Sequence, residues 1–180
     1  GDSSGVANGW IDDFESGAPA DSQGWQAFRD ETSQSSIQCV PETGLAHSGT
    51  SALAIRFSVV PNSWATCTLF YDQNQDWRPA AGLYFQVHAS KPGLAFDLIT
   101  YGGALDAQEQ YLLHLETSQA MVDGWVSMQF AWELLRRVEW EADAGTPFDP
   151  GQVVGMAFGI ASLPEANNQG EIWPPVVVEV

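Results

Sequence analysis

Polar and aromatic side chains recur at every second position in several short segments of the sequence. In the segment 83–89 the apolar residues share one side, so Tyr84, Gln86 and His88 face the other. Flat aromatic rings stack against the apolar C–H faces of a sugar ring, and planar polar groups hydrogen-bond to its hydroxyls. The chemistry predicted for these positions is therefore recognition of a neutral carbohydrate.

Neighbouring segments add side chains of the same chemical type. In the segment 94–101 Phe96 and Leu98 are expected in the core, and the polar positions of 108–117 and 124–131 are placed outside. We expect these side chains to cross several strands as one band and to form a groove for a single glycan chain. The predicted carbohydrate-binding residues are Tyr84, Gln86, His88, Asp97, Tyr101, Gln110, His114, Glu116, Gln129 and, in a loop, Trp64.

Short alternating segments separated by Gly, Pro, Asn and Asp are typical of strands and turns. Only 131–140 has a helical pattern, and Gly145, Pro147 and Pro150 soon follow it. Many strands without alternating helices predict an all-β fold, an antiparallel β-sandwich of two sheets with jelly-roll character. The predicted strands lie near 10–15, 24–30, 35–40, 51–60, 64–71, 82–90, 94–101, 108–117, 124–131, 153–161 and 171–179.

The chain has 180 residues and a net charge of -17, with 6 Lys and Arg against 23 Asp and Glu. Its length suits one domain, which we place at 10–180, after a small, polar, linker-like segment at 1–9. The negative charge repels phosphate backbones and anionic lipid surfaces, so neither nucleic acid nor membrane is expected as a partner.

The remaining reactive residues do not form a familiar catalytic or metal-binding motif. The histidines have no short metal-binding spacing, and no GxSxG segment occurs. Glu139, Glu141 and Asp143 are the carboxylates that a glycosidase reading favours, but they lie in a predicted loop, and we assign no catalytic residue. Cys39 and Cys67 are compatible either with a disulfide or with two buried thiols.

The order of several short motifs resembles the β-sandwich carbohydrate-binding modules, most closely family 11 and the galactose-binding-like modules. The motifs are Ile11-Asp12-Asp13-Phe14-Glu15, Gly24-Trp25, Ala46-His47-Ser48-Gly49, Asp76-Trp77, Gly124-Trp125 and Val153-Val154-Gly155. The resemblance covers about residues 10 to 180.

This resemblance implies a secreted, extracellular, non-catalytic module that binds a polysaccharide, with β-glucan as the expected ligand. It also implies a monomer, covalently linked to the catalytic domain of a parent glycoside hydrolase. A structural calcium ion is expected on Glu15 and on Ser48 and Gly49, away from the sugar-binding face. The alternatives are an independent glycosidase or polysaccharide lyase, and a structural or protein-interaction domain of the same fold.

Overall fold

Two antiparallel β-sheets pack face to face in this computed structural model, so the predicted all-β sandwich is confirmed. The structure describes residues 10–12, 14, 17–43, 51–173 and 177–179; the predicted linker 1–9 lies outside them. The described strands are β1 (Trp10–Asp12), β2 (Ser22–Arg29), β3 (Ser36–Thr43), β4 (Ser51–Val59), β5 (Ala65–Gln75), β6 (Gly82–Ala89), β7 (Ala95–Ala104), β8 (Ala107–Glu116), β9 (Val126–Ala131), β10 (Arg136–Arg137), β11 (Val153–Ile160), β12 (Asn168–Trp173) and β13 (Val177–Glu179).

One sheet has six described strands in the order β10-β8-β7-β11-β5-β2. Its central strand, β11, is buried at every position and pairs with β7 and β5 along its two edges. A strand that is buried at every position and paired along both edges favours small and apolar residues, which explains its Val-Val-Gly-Met-Ala-Phe-Gly-Ile sequence. We call this the six-stranded sheet.

The other sheet has seven described strands, in the order β1-β13-β6-β12-β4-β3, with β9 paired to β6 off this path. Strand β6 pairs with β9 along one edge and, along the other, with β12 and then β13. The first and last described strands, β1 and β13, pair with each other here. We call this the seven-stranded sheet.

The core lies between the sheets and is built from the apolar half of each alternating strand. Leu83, Phe85 and Val87 of β6 are fully buried, as the alternation predicts, and face Phe158 of β11 across the sandwich. The Phe85 and Phe158 rings meet edge to face with centroids 5.5 Å apart. Such ring pairs add about 0.5 to 1.5 kcal/mol beyond the area they bury.

Cys39 and Cys67 form a disulfide, which settles the alternative that the sequence left open. Cys39 lies on β3 of the seven-stranded sheet, and Cys67 lies on β5 of the six-stranded sheet. Their Cα atoms are 5.8 Å apart. The bond therefore joins the two layers covalently.

The segment 131–140, whose helical pattern suits one short helix or turn, forms a short 3-10 helix, a two-residue strand and a turn, and contains no α-helix. A 3-10 helix spans only Trp132–Leu134, and the chain then enters β10. Trp132 is buried, donates its Nε1–H to the Ala80 carbonyl at 2.8 Å and stacks on Trp77 with centroids 5.6 Å apart. This anchoring overrides the local helical pattern. The one α-helix in the described part of the chain, α1 (Gln119–Asp123), was not predicted.

Candidate ligand-binding groove

A groove of about 530 Å³ lies on the outer face of the six-stranded sheet. Residues from five strands and three loops line it, and most of them are apolar. The lining residues are Phe28, Trp64, Ala65, Thr66, Thr68, Phe70, Asp97, Ile99, Tyr101, Gln110, Leu112, Trp140, Gly159, Ile160 and Ala161.

The strand register sets the outward-facing residues of the sheet beneath the groove in three rungs that run across it. Four strand spacings separate β2 from β8, a width of about 19 Å at the usual distance between strands. The groove is thus wide enough for several sugar rings in a row. From β2 to β8 the rungs are Phe28, Thr66, Gly159, Asp97 and His114; then Gln26, Thr68, Ala157, Ile99 and Leu112; then, from β5, Phe70, Gly155, Tyr101 and Gln110.

The small residues of β11 make the middle of this face concave. Gly155, Ala157 and Gly159 are its outward-facing residues, and larger neighbours lean over the two glycines. A Cβ atom added at Gly159 would lie 2.8 Å from Ile99 Cδ1, which is closer than real Cβ contacts. The glycine therefore lets Ile99 settle low and keeps the floor deep.

The floor combines aliphatic side chains with one aromatic pair. Ile99 is only 3% exposed, and the rings of Phe70 and Tyr101 are tilted against each other with centroids 5.0 Å apart. Burial raises the pKa of Tyr101, and hydrogen bonds with Thr68 and Gln110 partly offset the rise. The hydroxyl is neutral at physiological pH and can donate or accept a hydrogen bond.

Exposed aromatic rings stand on the rim of the groove. Trp140 is 67% exposed, Trp64 is 49% exposed and Phe28 is 39% exposed. They are three of the five large hydrophobic side chains that are exposed in the described residues. Isolated exposed hydrophobics need no explanation, but three around one groove make this groove the candidate interaction site.

Asp97 supplies the carboxylate of the groove lining. Its Oδ1 lies 2.6 Å from Nδ1 of His114, whose side chain is 78% exposed. Burial raises the pKa of Asp97, and the hydrogen bond from His114 opposes that rise. The pair places a polar, hydrogen-bonding edge at one end of an otherwise apolar groove.

Four of the predicted binding residues meet in this groove: Trp64, Asp97, Tyr101 and Gln110. His114 adjoins them through its bond to Asp97. Glu116 lies further along the same face of β8, opposite Ala95 and outside the groove lining. The alternation thus gave the outward direction of these β7 and β8 side chains correctly.

The prediction that one band contains all the candidate residues is wrong. Tyr84, Gln86 and His88 lie on β6, and Gln129 lies opposite Tyr84 on β9; both strands belong to the seven-stranded sheet. Their outward faces point away from the groove, across the whole thickness of the sandwich. A period of two shows which side chains share a face of one strand, but it does not show which sheet that strand joins.

On the seven-stranded sheet these residues contact one another. Gln86 donates to the Tyr84 hydroxyl at 2.9 Å, and that hydroxyl lies 3.2 Å from Ser127 Oγ. The His88 ring lies between Trp125 and Trp173, with both centroid distances 5.1 Å. His88 Nδ1 lies 2.6 Å from the Met121 carbonyl oxygen and bridges β6 to α1. These contacts give the side chains a structural role.

The sequence analysis did not identify Phe28, Phe70, Ile99, Leu112 or Trp140 as groove residues. Phe28 and Phe70 follow the same alternation as the residues that were found, on β2 and β5. The available signal was the Gly-x-Ala-x-Gly pattern of β11. Small residues at alternate positions indicate a strand whose outer face is covered by the side chains of neighbouring strands.

A second hollow, of about 450 Å³, lies on the outer face of the seven-stranded sheet. Its lining includes Ser and Gln side chains, and Arg56 there is paired with Glu42 and, at 3.2 Å, with Glu171. No tryptophan or tyrosine is among its lining residues. The groove on the six-stranded sheet is therefore the better site for stacking a ligand.

The predicted calcium ligands Glu15, Ser48 and Gly49 lie outside the described residues. Within the described ranges, no three His, Cys, Asp or Glu residues cluster closely enough to hold a metal ion. Asp12 accepts hydrogen bonds from the Phe14 backbone N–H at 2.8 Å and from Trp25 Nε1–H at 2.9 Å.

In the described ranges no helix has the length and apolar character needed to cross a membrane.

Several solved structures share this fold. A family 11 carbohydrate-binding module from Clostridium thermocellum, in complex with a β-1,3-1,4-mixed-linked tetrasaccharide, has a TM-score of 0.70 at 11% identity and covers 94% of each chain. A family 30 carbohydrate-binding module has a TM-score of 0.62 at 12% identity, covering 86% of this chain and 91% of that one. The family 30 module of the cellulosomal cellulase Cel9D-Cel44B of Clostridium thermocellum has a TM-score of 0.58 at 11% identity, covering 79% and 86%.

The resemblance to these modules that the sequence predicted is confirmed in the fold. No protein-family model matches the sequence, and no curated protein matches it. The class that the comparisons define is therefore a fold class, that of the β-sandwich carbohydrate-binding modules.

Proposed function

We propose that this protein is a non-catalytic carbohydrate-binding module that holds one polysaccharide chain in the groove of the six-stranded sheet. The observation that carries the proposal is the clustering of exposed Phe28, Trp64 and Trp140 around a groove about four strand spacings wide. Rings of this kind stack on sugar faces, and Thr66, Asp97 and Gln110 supply hydrogen bonds beside them.

The charge of the chain favours a neutral ligand. With a net charge of -17, the protein repels uronate and sulfated polymers at long range. Stacking and short hydrogen bonds are not screened by salt as long-range charge interactions are. Binding to a neutral polymer, with β-glucan as the first to be tested, should change little between low and moderate salt.

The groove favours binding over hydrolysis. A glycosidase of the common mechanisms places two carboxyl groups on opposite sides of the scissile bond. Asp97 is the carboxyl residue among the described lining residues, and it is hydrogen-bonded to His114. Glu141, a candidate for the glycosidase alternative, instead accepts hydrogen bonds from the Gln110 backbone N–H at 3.0 Å and from Arg137 Nε at 2.8 Å.

In this proposal the module is secreted and acts by holding a covalently linked catalytic domain near its substrate, which raises the effective substrate concentration. The Cys39–Cys67 disulfide supports an oxidising, extracellular location. The proposal takes the module as a monomer.

Affinity electrophoresis against a panel of soluble polysaccharides, with release of reducing ends measured in parallel, tests this function. We expect retardation without product, lost in Trp140→Ala and kept in Leu134→Ala, since Leu134 is 48% exposed but lies outside the groove lining. Product formation would identify an enzyme. Neither retardation nor product with any polymer would favour an interaction domain.

A further inference from the structure

The groove has aromatic side chains on its rim and aliphatic side chains on its floor. This difference limits which ligand substituents can fit against the floor. Ile99 and Leu112 are paired neighbours in the middle rung, and Ile160 and Ala161 continue the apolar lining toward one end. The equatorial substituents of a sugar ring radiate near the plane of the ring, so those on the edge nearer the sheet meet this floor. The substituents, more than the rings, then decide the fit.

A free hydroxyl is poorly matched to the middle of the floor. Leaving water for a place against Ile99 and Leu112 costs a hydroxyl its hydrogen bonds, which apolar side chains cannot replace. A methyl group in the same place gains by leaving water. The floor therefore favours a ligand that carries small apolar groups.

Polar groups lie one rung away. Tyr101 and Gln110 are paired partners in the next rung on the same face, about 7 Å along the strands from Ile99 and Leu112. The Tyr101 hydroxyl and the Gln110 amide both line the groove and both can donate a hydrogen bond. A substituent with a methyl group and an adjacent carbonyl oxygen satisfies both rungs at once.

We propose that the groove selects neutral polysaccharides whose sugars carry acetyl groups, with the methyl on Ile99 and Leu112 and the carbonyl oxygen accepting from Gln110 or Tyr101. This inference rests on the proposed function and narrows it from neutral glycans in general. An acetyl group brings no charge, which suits a groove whose carboxylate is Asp97 on a strongly acidic chain. Acetyl esters and acetamides share this chemistry.

Two matched pairs of oligosaccharides, compared by isothermal titration calorimetry on the intact chain, test the inference. The ester pair is acetylated xylo-oligosaccharides and the same material after alkaline deacetylation. The amide pair is chitohexaose and cellohexaose, which share a β-1,4-linked backbone and differ in the acetamido group. We expect the acetylated member of at least one pair to bind about tenfold more tightly, and the pair that responds identifies the ester or the amide.

A floor variant gives the internal control. Leu112→Ser should remove the difference in affinity between the acetylated and unacetylated members, because Leu112 is half-buried and lies on the floor where the methyl group is placed. Trp140→Ala should weaken both members alike. Equal affinities within both pairs, or tighter binding of the unacetylated members, would overturn the inference and leave the proposed function standing. If no oligosaccharide or polysaccharide binds, the proposed function itself fails.

Discussion

At the scale of single residues, the two tyrosines that the sequence placed together now have different expected roles. Tyr101 lines the groove beside Phe70, whereas Tyr84 is hydrogen-bonded to Gln86 on the opposite sheet. We expect Tyr101→Ala to weaken polysaccharide binding by about 1 to 3 kcal/mol and Tyr84→Ala to leave it unchanged. Titration calorimetry of both folded variants measures this. A loss of affinity in Tyr84→Ala alone would move the site to the other face.

Asp97 gives the fold a pH dependence whose sign follows from its environment. Burial raises its folded pKa above the ordinary carboxyl value, although the hydrogen bond from His114 lowers it in part. Its contribution to stability is therefore complete below the unfolded pKa of about 3.9 and is lost as the pH rises through the folded pKa.

Asp97→Asn removes this titration, so the Tm of the variant relative to the native chain should rise as the pH is increased from about 3 to about 7. Differential scanning calorimetry across that range measures the difference. Asp106→Asn, which makes the same change in the exposed turn between β7 and β8, is the matched control. A difference that falls with pH for Asp97→Asn would mean that the bond to His114 dominates.

At the scale of elements, most strands could be predicted from alternation because each has one face in the core. The predicted strand at 82–90 matches β6 closely. Strand ends were less predictable. Strand β7 continues to Ala104 and β8 begins at Ala107, and these two residues pair across a tight turn. The loop-like sequence of this turn gave no sign that the strands continue so far. Alternation is a local signal, whereas hairpin length depends on pairing with a partner strand.

The groove was only half predictable for a related reason. Which side chains point outward is local, but the grouping of β6 with β12 and β13, and of β7 with β11, depends on contacts between distant parts of the chain. The resemblance to family 11 modules gave the fold but not the sheet assignment of each candidate. That assignment required the three-dimensional pairing.

Gly159 of β11, which lies beneath the Ile99 side chain, provides a test at this scale. Gly159→Ala places a methyl group against Ile99 Cδ1 and should push that side chain up into the groove. We expect about a tenfold loss of ligand affinity with a smaller loss of stability, since the displaced atom is the flexible end of a side chain. Calorimetric titration and thermal melting measure the two effects separately.

Gly124→Ala is the matched control, because a Cβ atom there meets nothing within 4 Å. It should change neither the affinity nor the Tm appreciably. If Gly159→Ala bound ligand as well as the native chain, the depth of the floor beside Ile99 would not matter for binding.

At the scale of the whole molecule, the disulfide fastens one sheet to the other. Cys39 and Cys67 are separated by 28 positions in sequence, so the bond restricts the unfolded chain considerably. Replacing both cysteines by alanine should lower the free energy of unfolding by about 3 to 4 kcal/mol. Urea denaturation with and without reductant measures the loss. The double variant itself should not respond to reductant, which separates the disulfide from other effects of the reagent.

Calcium binding by Glu15, Ser48 and Gly49 remains a prediction, and its expected effect is on the stability of the whole fold. An ion bound only by the folded chain stabilises it by mass action, so excess chelator should lower the Tm while leaving the affinity for sugar intact. Melting curves with added calcium and with chelator measure this, and Glu15→Gln should abolish the difference. An unchanged melting curve would argue against the ion.

The pairing of β1 with β13 determines which side of the protein faces a support or a second domain to which it is attached. Both strands belong to the seven-stranded sheet, while the groove opens on the outer face of the six-stranded sheet. A tether joined ahead of β1 or behind β13 therefore leaves from the layer behind the groove. Attachment to a bead, a sensor surface or a second domain through either of these strands would leave the groove facing away from the point of attachment.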